Sequence, residues 1–409
     1  MKILFIHQNF PGQYRHLART LAADPRNQVI AIGEQGNLAR YERPAGVGVV
    51  AYPKPQGAAA RTHPFVRGHD GAVRRGQLVA RVLQELRGRG FVPDVVCAHP
   101  GWGEALFVKD VMPESRLCGY FEFFYHARGA DVGFDPEYPA SADDVMRVRA
   151  KNSTMLLTLD AADAGVAPTA WQHARYPAEF RSKISVIHDG IDTGAVRPDP
   201  AATLALPNGD VLTAADEVLT FAVRNLEPYR GFHVFMRALP RILVRRPRAR
   251  VVIIGGDEVS YGVSAKGGAT YREALLAELG GAIDPARVHF LGRVPYQRYL
   301  AALQVSSAHV YLTYPFVLSW SMLEAMAAGC LVIGSRTPPV AEVIEDGING
   351  WLTDFFDGTA LSERVCDALE AGARLAPLRA AARQTIVSRY DLARVCLPQQ
   401  VRMIESLAR

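Results

Sequence analysis

The chain has 409 residues and a mass of 44.7 kDa, which predicts at least two domains. Apolar residues make up 49% of it and charged residues 21%, a composition that excludes disordered, collagen-like and coiled-coil proteins. The net charge of +5 is too small to indicate a nucleic-acid partner without a concentrated basic patch.

The cysteines and the lengths of the apolar runs indicate the cellular compartment in which the protein is expected. The five cysteines are widely spaced and form no C-x-x-C pair, so neither a disulfide framework nor a zinc site is indicated. The apolar run at the start of the sequence is too short for a signal peptide, and no window approaches the roughly 18 apolar residues of a membrane span. We therefore expect a cytoplasmic protein, with any membrane contact peripheral at the inner membrane face.

Short runs of β-branched and apolar residues alternate with longer helical patterns, which predicts βαβ units and parallel sheets. In the first half the predicted strands are 2–7, 28–32, 47–52, 94–98 and 115–121, and the predicted helices are 13–24, 72–88, 102–111 and 141–159. A second series of strands begins at Glu217 and continues near Arg250, Val288, His309 and Cys330. The pattern predicts an α/β protein with two tandem Rossmann-like domains, each a doubly wound parallel sheet.

Turn-forming residues crowd the segment 190–215, which we interpret as the join between the domains. The predicted domains are an acceptor-side domain over 1–200 and a donor domain over 201–385. Residues 386–409 form a C-terminal helix that is expected to pack back on the first domain. Because ligands of open α/β sheets bind at the carboxyl ends of the strands, we expect the site in a cleft between the domains.

The turn after the first strand runs from His7 to Gly12 and precedes a helix. A strand, a glycine turn and a helix together present free backbone N–H groups, which is a suitable anion site. The dinucleotide fingerprint G-x-G-x-x-G is absent here, and an ordinary βα turn explains the segment equally well.

Arg224 and Arg230 follow the first strand of the second series and flank a turn that contains Pro228. Two guanidinium groups at the end of a strand can bind a diphosphate through forked hydrogen bonds. Isolated arginines are more often solvated surface charges, so the pattern leaves both interpretations open.

A third segment leads from a strand into a helix whose start carries Ser319, Ser321 and Glu324. The spacing of Ser321 and Glu324 matches a capping box, in which the glutamate only closes the helix N-terminus. A carboxylate in this place can equally accept both hydroxyl groups of a ribose. The spacing does not choose between the two.

Taken together, these segments resemble the family-4 retaining glycosyltransferases of GT-B fold, and the resemblance spans nearly the whole chain. Six segments in the family's order carry it: 7–12, 186–193, 224–231, 290–294, 323–329 and 340–352.

The resemblance implies a role for each matching residue. Gly12 falls where backbone N–H groups meet the donor diphosphate, and Arg224 and Arg230 fall on the family's basic pair, with arginine in place of the usual lysine. Glu324 falls on the glutamate that holds the nucleotide ribose. The remaining implied positions are Arg293 and Val294 beside the base, Phe316, Ser319, Trp320 and Ser321 in the donor-sugar turn, Glu122 against the sugar, and His126 as a further sugar or acceptor contact.

One departure from the family pattern concerns the donor sugar. Eight positions before Glu324 the family usually has a second glutamate, and this chain has Phe316. The usual carboxylate contact to the sugar is therefore missing, so either the sugar differs or another group serves. Glu122 and Ser319 are the candidates.

The implied reaction moves a hexose from a UDP- or GDP-sugar to an acceptor hydroxyl with retention, in polysaccharide or glycoconjugate biosynthesis. The acceptor is a carbohydrate, a lipid-linked sugar or another hydroxyl compound. No D-x-D pattern stands in the predicted donor loops, so we expect no metal and no cofactor, with Arg224 and Arg230 serving in place of a divalent ion. A sugar-nucleotide epimerase and a non-catalytic sugar-nucleotide sensor are the alternatives.

The predicted helix 72–88 and the residues before it are rich in arginine, with apolar residues interleaved. It could lie on an anionic membrane near a lipid-linked acceptor. More often such a helix packs its apolar side on the sheet and exposes its charges.

Overall fold

The computed structural model divides the chain into two compact units, residues 1–190 with 393–409, and residues 191–392. It describes residues 1–409 apart from the side chain of Lys266. Each unit contains a parallel sheet with helices packed on it, so the predicted α/β fold class with two Rossmann-like domains is confirmed. The acceptor-side and donor roles of the two halves stay predictions.

The first unit is built on a seven-stranded parallel sheet whose strand order is β3-β2-β1-β4-β5-β6-β7. All five strands predicted in this half are present. The strands are β1 (Lys2–Ile6), β2 (Gln28–Glu34), β3 (Gly48–Tyr52), β4 (Val95–Ala98), β5 (Arg116–Tyr120), β6 (Ala164–Ala167) and β7 (Ile184–Val186). The chain adds β2 and β3 on one side of β1 and β4 to β7 on the other, so the carboxyl ends of β1, β4 and β5 adjoin one another at the point where the strand order reverses.

Helices of the first unit cover both faces of this sheet through two apolar clusters. They are α1 (Arg15–Ala23), α2 (Gln35–Leu38), α3 (Arg67–Gly88), α4 (Val108–Val111), α5 (Ala142–Lys151), α6 (Ser153–Ala161), α7 (Ala170–Ala174) and α8 (Ala178–Arg181).

Two predicted helices of the first unit differ from the structure. The helix predicted over 102–111 is reduced to α4, because Gly103 adopts φ +104° and a Cβ there would meet the Ala72 carbonyl oxygen of α3. The helix predicted over 141–159 is divided between α5 and α6 at Asn152, whose side chain bonds both the N–H and the C=O of Tyr125.

Helix α3 includes the predicted segment 72–88, and its apolar side is inside the core. Val79, Leu83 and Leu86 are buried against the sheet, whereas Arg81 is exposed. The apolar side of this helix therefore packs on the sheet, as the second of the two sequence interpretations predicts. Contact of its charged side with anionic lipid stays a prediction.

The second unit has a six-stranded parallel sheet and a two-stranded antiparallel hairpin. The hairpin comprises β8 (Thr203–Ala205) and β9 (Val211–Thr213), so the predicted join at 190–215 is partly structured. The sheet has the order β12-β11-β10-β13-β14-β15 and comprises β10 (Val218–Asn225), β11 (Arg250–Gly256), β12 (Val288–Gly292), β13 (Ala308–Tyr311), β14 (Val332–Ser335) and β15 (Trp351–Thr353).

Seven helices accompany this second sheet. They are α9 (Phe232–Arg245), α10 (Tyr271–Leu279), α11 (Tyr296–Gln304), α12 (Trp320–Ala327), α13 (Pro338–Ala341), α14 (Gly358–Ala371) and α15 (Ala376–Arg389). Apolar residues of α12, α15 and β14 form one core cluster on a face of the sheet.

The chain enters and leaves the second unit at neighbouring points. Ile191 N–H donates to the Tyr390 carbonyl oxygen over 2.8 Å, and Leu392 N–H donates to the Ile191 carbonyl oxygen over 2.9 Å. The last helix, α16 (Leu397–Leu407), belongs to the first unit, where its buried Ile404 joins the core cluster that contains residues of α1.

Candidate functional site

The turn predicted to meet a diphosphate closes tightly on the end of β1. Gly12 has φ +46°, and a Cβ on it would come within 2.6 Å of His7 Cε1. The turn is held by Phe10 N–H to the His7 carbonyl oxygen over 3.0 Å. Glycine is therefore required at position 12 both by its backbone conformation and by the imidazole beside it.

His7 and His99, at the ends of the neighbouring strands β1 and β4, are both buried and have the same local geometry. His7 Nδ1 accepts from Asn9 N–H over 2.9 Å, and His99 Nδ1 accepts from Gly101 N–H over 3.1 Å. An acceptor Nδ1 in a neutral ring leaves the proton on Nε2, so both rings carry a donor there. Burial, and then the nearby His99, lower the pKa of His7 to about 3.

Glu122 follows β5 and lies beside these rings. Its Oε1 accepts from Gln13 Nε2 over 3.3 Å, and its Oε2 is 3.6 Å from His99 Nε2. Its main-chain oxygen accepts from Gln172, so its backbone is fixed while its carboxylate is one-third exposed. The structure thus brings Glu122 together with Gln13, the neighbour of Gly12, and with His99.

His126 does not join this group. Its Nε2 lies 2.7 Å from the Arg175 carbonyl oxygen, and its ring contacts Phe124. Sequence analysis placed His7 at the start of the first turn without assigning it a role, and it did not identify His99. Both follow a buried strand and precede a turn residue, which is the signal that could have found them.

In the second unit the two predicted arginines have very different surroundings. Arg224, near the end of β10, is exposed and has no hydrogen bond or ion pair with any side chain that the structure describes. Arg230 is 6% exposed, and its Nη1 donates to Tyr311 Oη, Thr313 Oγ1 and the Val317 carbonyl oxygen over 2.9–3.2 Å. Within the described side chains, no carboxylate lies within 4.0 Å of the Arg230 guanidinium.

A buried carboxylate orders the loop beside Arg230. Glu227 is 1% exposed, and its carboxylate accepts from the backbone N–H groups of Ser260, Tyr261 and Gly262 over 3.1–3.2 Å. The loop after β11 is thereby held so that the Tyr261 ring lies 5.6 Å from Arg230 Cζ. This role of Glu227 could not be predicted from local spacing, because its partners are more than thirty residues away along the chain.

Phe316 is part of an aromatic wall around Arg230. It is buried, with its ring centroid 4.8 Å from that of Tyr261, 5.6 Å from that of Tyr229 and 5.9 Å from Arg230 Cζ. The following backbone is fixed as well, since Ser319 N–H donates to Tyr311 Oη over 2.8 Å. The position that carries a carboxylate in the family pattern is thus occupied by an apolar wall.

The start of helix α12 is not the capping box that the spacing of Ser321 and Glu324 matches, so that interpretation is wrong. Ser319 is the N-cap, its Oγ accepts from Ser321 N–H, and Trp320 is exposed at the first turn. Glu324 takes no part in the cap. Its two carboxylate oxygens accept from Tyr296 Oη over 2.9 Å and Tyr299 Oη over 2.8 Å.

Arg293 and Val294 follow β12 and point to different surroundings. Arg293 is exposed, and its Nη2 donates to Asn225 Oδ1 over 2.9 Å and to Glu258 Oε2 over 2.5 Å. Val294 packs against an apolar cluster. Their assignment to the base pocket stays a prediction.

Two family models match the chain and together span most of it. Residues 25–196 match the glycosyl transferase family 4 group, and residues 210–385 match glycosyl transferases group 1. The chain belongs to the family-4 glycosyltransferases of GT-B fold.

Curated relatives of this glycosyltransferase act on inositol-containing acceptors according to their names. It is 31% identical over 223 residues to a phosphatidyl-myo-inositol mannosyltransferase of Mycobacterium leprae, a match that covers 50% of this chain and 53% of that relative. It is 24% identical to a GDP-mannose-dependent alpha-(1-6)-phosphatidylinositol monomannoside mannosyltransferase of Mycobacterium tuberculosis, with 71% of each chain covered. The chain spans about half the length of the first curated relatives it matches.

Solved structures with the same fold cover the whole chain. HepE of Anabaena, in complex with UDP-glucose, has a TM-score of 0.67 and 18% identity, with 99% of each chain covered. Sucrose-phosphate synthase of Thermosynechococcus elongatus has a TM-score of 0.73 and 16% identity, covering 100% of this chain and 99% of its own. These likenesses establish the fold of the glycosyltransferase.

Among the residues that the structure describes, no helix has both the length and the apolarity needed to cross a membrane.

Proposed function

We propose that this glycosyltransferase moves a hexose from a UDP- or GDP-sugar to an acceptor hydroxyl, with retention and without a metal ion. The observation that carries the proposal is the environment of Arg230, a buried cation whose direct partners are hydroxyl and carbonyl oxygens and which interacts with the buried Glu227 carboxylate only beyond ion-pair distance. Burying a charge is costly unless an opposite charge accompanies it. The diphosphate of a sugar nucleotide supplies that charge.

Arg224 contributes the second positive charge of this proposed donor site. It lies six residues before Arg230, near the carboxyl end of β10. Its guanidinium is exposed and has no partner among the described side chains. An exposed guanidinium can form a bidentate pair with a phosphate oxygen pair as the donor arrives. We assign Arg230 to a fixed charge inside the site and Arg224 to capture of the phosphate.

The proposed chemistry needs little acid–base machinery. Negative charge grows on the leaving diphosphate oxygen as the glycosidic bond breaks, and fixed cations stabilise it. The acceptor hydroxyl attacks on the face from which the diphosphate departs, and its proton passes to the departing oxygen. Exclusion of water from the reacting groups limits hydrolysis of the donor.

The cluster at Glu122 is assigned to the transferred sugar. The Glu122 carboxylate is one-third exposed and offers acceptors for sugar hydroxyl groups, with the buried His99 Nε2 3.6 Å from its Oε2. The family's first glutamate is replaced by Phe316 in this chain. The Glu122 carboxylate is proposed to contact the sugar in its place. The backbone N–H groups of the turn at Gly12 are assigned to the donor diphosphate, as the family resemblance implies.

The acceptor is proposed to be a polyol or lipid-linked hydroxyl compound, with the protein at the inner face of the membrane. The names of the curated relatives, which include a phosphatidyl-myo-inositol mannosyltransferase, support this choice. UDP-glucose in the HepE complex and GDP-mannose in the name of another relative support UDP- and GDP-sugars as the donors to test.

The test is a transfer assay with a panel of UDP- and GDP-sugars and with phosphatidylinositol, inositol phosphate and simple glycosides as acceptors. We expect release of nucleoside diphosphate that depends on the acceptor, and an α-linked product from an α-linked donor. Arg224→Ala should lower kcat/KM by roughly 30-fold or more. The matched control is Arg241→Ala, which removes an exposed arginine paired with Glu363 and should leave turnover unchanged.

Four outcomes would contradict the proposal. An inverted product excludes retention, and full inhibition by a chelator excludes metal independence. Interconversion of the sugar nucleotide without any acceptor would establish an epimerase instead. Tight nucleotide binding with no release for any acceptor would establish a sensor.

A further inference from the structure

Two tyrosines of α11 hold the carboxylate that the family pattern assigns to the nucleotide ribose. Tyr296 Oη donates to Glu324 Oε1 over 2.9 Å, and Tyr299 Oη donates to Glu324 Oε2 over 2.8 Å. The tyrosines are three residues apart on one helix, so both side chains leave the same face. Each oxygen of the carboxylate therefore has its own hydroxyl donor.

We propose that Tyr296 and Tyr299 are positioning residues that orient the Glu324 carboxylate so that it accepts both ribose hydroxyl groups of the donor nucleotide. This inference rests on the proposed function, because it takes Glu324 as the ribose contact. Neither tyrosine contributes to the sequence resemblance.

The hydrogen-bonding capacity of a carboxylate fits this arrangement. Two oxygens offer about four lone-pair sites. The two tyrosines use one site on each oxygen, and one site on each oxygen remains. The 2′ and 3′ hydroxyls of a ribose are neighbouring donors, and the two remaining acceptor sites match them in number.

Ionisation of Glu324 depends on the same tyrosines. Burial raises the pKa of Glu324, while the hydrogen bonds from Tyr299 and Tyr296 lower it. A protonated carboxyl would present one O–H donor in place of an acceptor, so it would lose the hydrogen bond from one of the two ribose hydroxyl groups. The tyrosines therefore support the acceptor state of Glu324 against the effect of burial.

Other polar groups near α12 are engaged elsewhere. The thiol of Cys330 donates to a main-chain carbonyl of α11. Arg379 and Arg383, on the packed helix α15, also donate to main-chain carbonyl oxygens. Of the side chains described, only the two tyrosines donate to the Glu324 carboxylate.

The experiment compares binding of UDP and GDP with binding of their 2′-deoxy counterparts by calorimetry, from pH 5.5 to pH 8.5. The wild-type protein should prefer the ribonucleotide by roughly tenfold or more. Tyr299→Phe and the double variant with Tyr296→Phe should reduce this preference to a few-fold at pH 7. Loss of the tyrosine donors raises the pKa of Glu324, so ribonucleotide binding should fall off at a higher pH than in the wild type.

Controls separate positioning from a general structural effect. Glu324→Gln should remove the pH dependence of the ribose preference. Tyr41→Phe, which alters an exposed tyrosine of the first unit, should change neither affinity nor the pH profile. Thermal unfolding of each variant checks that the Tyr→Phe changes, which keep the aromatic ring, leave the fold intact.

The outcomes distinguish this inference from the proposed function. An unchanged ribose preference and pH profile in the double variant overturn the inference alone, as does an equal loss of affinity for ribonucleotides and deoxynucleotides. Nucleotide binding with the expected tyrosine effects but no glycosyl transfer contradicts the proposed function alone. If the wild-type protein binds neither UDP nor GDP, this inference and the proposed function are both overturned.

Discussion

Gly12 lies directly against the imidazole of His7, with only 2.6 Å between the place of a Cβ and His7 Cε1. The contact joins the first turn of the chain to a ring that is itself fixed by a backbone N–H donor. The local shape of the turn after β1 therefore depends on the absence of a single methyl group at position 12.

Gly12→Ala should destabilise the first unit by about 2–4 kcal/mol, since it adds left-handed backbone strain to a steric clash with His7. Urea unfolding followed by tryptophan fluorescence measures the change. Gly36→Ala is the matched control, because a Cβ there meets no atom within 4 Å and alanine favours the helix α2. Equal stability of the two variants would show that the contact with His7 is unimportant.

Arg230→Met should leave the stability of the protein nearly unchanged and remove its stabilisation by nucleotide. Removal of a buried charge that forms no direct ion pair offsets the loss of its hydrogen bonds, and methionine fills much of the space. The wild-type protein should gain about 2.7 kcal/mol at a nucleoside diphosphate concentration of one hundred times Kd. Thermal unfolding with and without UDP or GDP measures both effects.

The control for Arg230 is Arg383→Met, which removes an arginine that donates only to main-chain carbonyl oxygens. This variant should lose stability and keep the response to nucleotide. An Arg230→Met protein that UDP or GDP stabilises as strongly as the wild type would contradict the assignment of Arg230 to the diphosphate.

Acid should destabilise the first unit through His7. In the folded protein its pKa is lowered to about 3, whereas an unfolded histidine binds a proton near pH 6.5. Between these pH values the unfolded state binds more protons, so the free energy of unfolding falls with decreasing pH by up to about 1.4 kcal/mol per unit for this group. His7→Gln should flatten that slope by about one proton in denaturant titrations at pH 4–7.

The comparison for His7 is His63→Gln, a change at an exposed histidine before α3. It should leave the pH slope as in the wild type. A slope that is the same in the His7 variant and the wild type would mean that His7 is protonated in the folded protein as readily as in the unfolded chain.

Vesicle binding tests whether the charged side of α3 meets lipid. At low salt, binding to vesicles that contain anionic lipid should be weak, and it should be weaker still in Arg81→Glu. In 0.5 M salt it should disappear, because the Debye length falls to about 4 Å and charge attraction is screened. Salt-resistant binding to neutral vesicles would require an exposed apolar side, which the burial of Val79 and Leu83 excludes. Co-sedimentation at two salt concentrations makes the measurement.

Much of the fold could be predicted from the sequence because its strands are continuous apolar runs, as buried parallel strands require. The helix predicted over 102–111 failed because Gly103 is set by contact with α3, a neighbour distant in sequence. The capping-box interpretation failed for a similar reason, since Glu324 binds two tyrosines of another helix rather than the start of its own.

The candidate site was accessible to sequence analysis only in part. Arg224 and Arg230 were found by their position at the end of a predicted strand, and Glu122 was found by the family resemblance. Their assignment to a nucleotide sugar stays a prediction. His99, Glu227 and the tyrosine pair were missed, because their significance comes from partners brought together by the sheets rather than from local spacing.

The packing of α16 on the first unit has a consequence for biosynthesis. Leu397, Val401 and Ile404 complete an apolar cluster that includes Leu17 and Leu21 of α1. During translation these covering residues emerge only after all of residues 191–392 have been made, so the part of the α1 surface that α16 covers stays exposed on the ribosome until then. The half of the molecule that is synthesised first is therefore finished last.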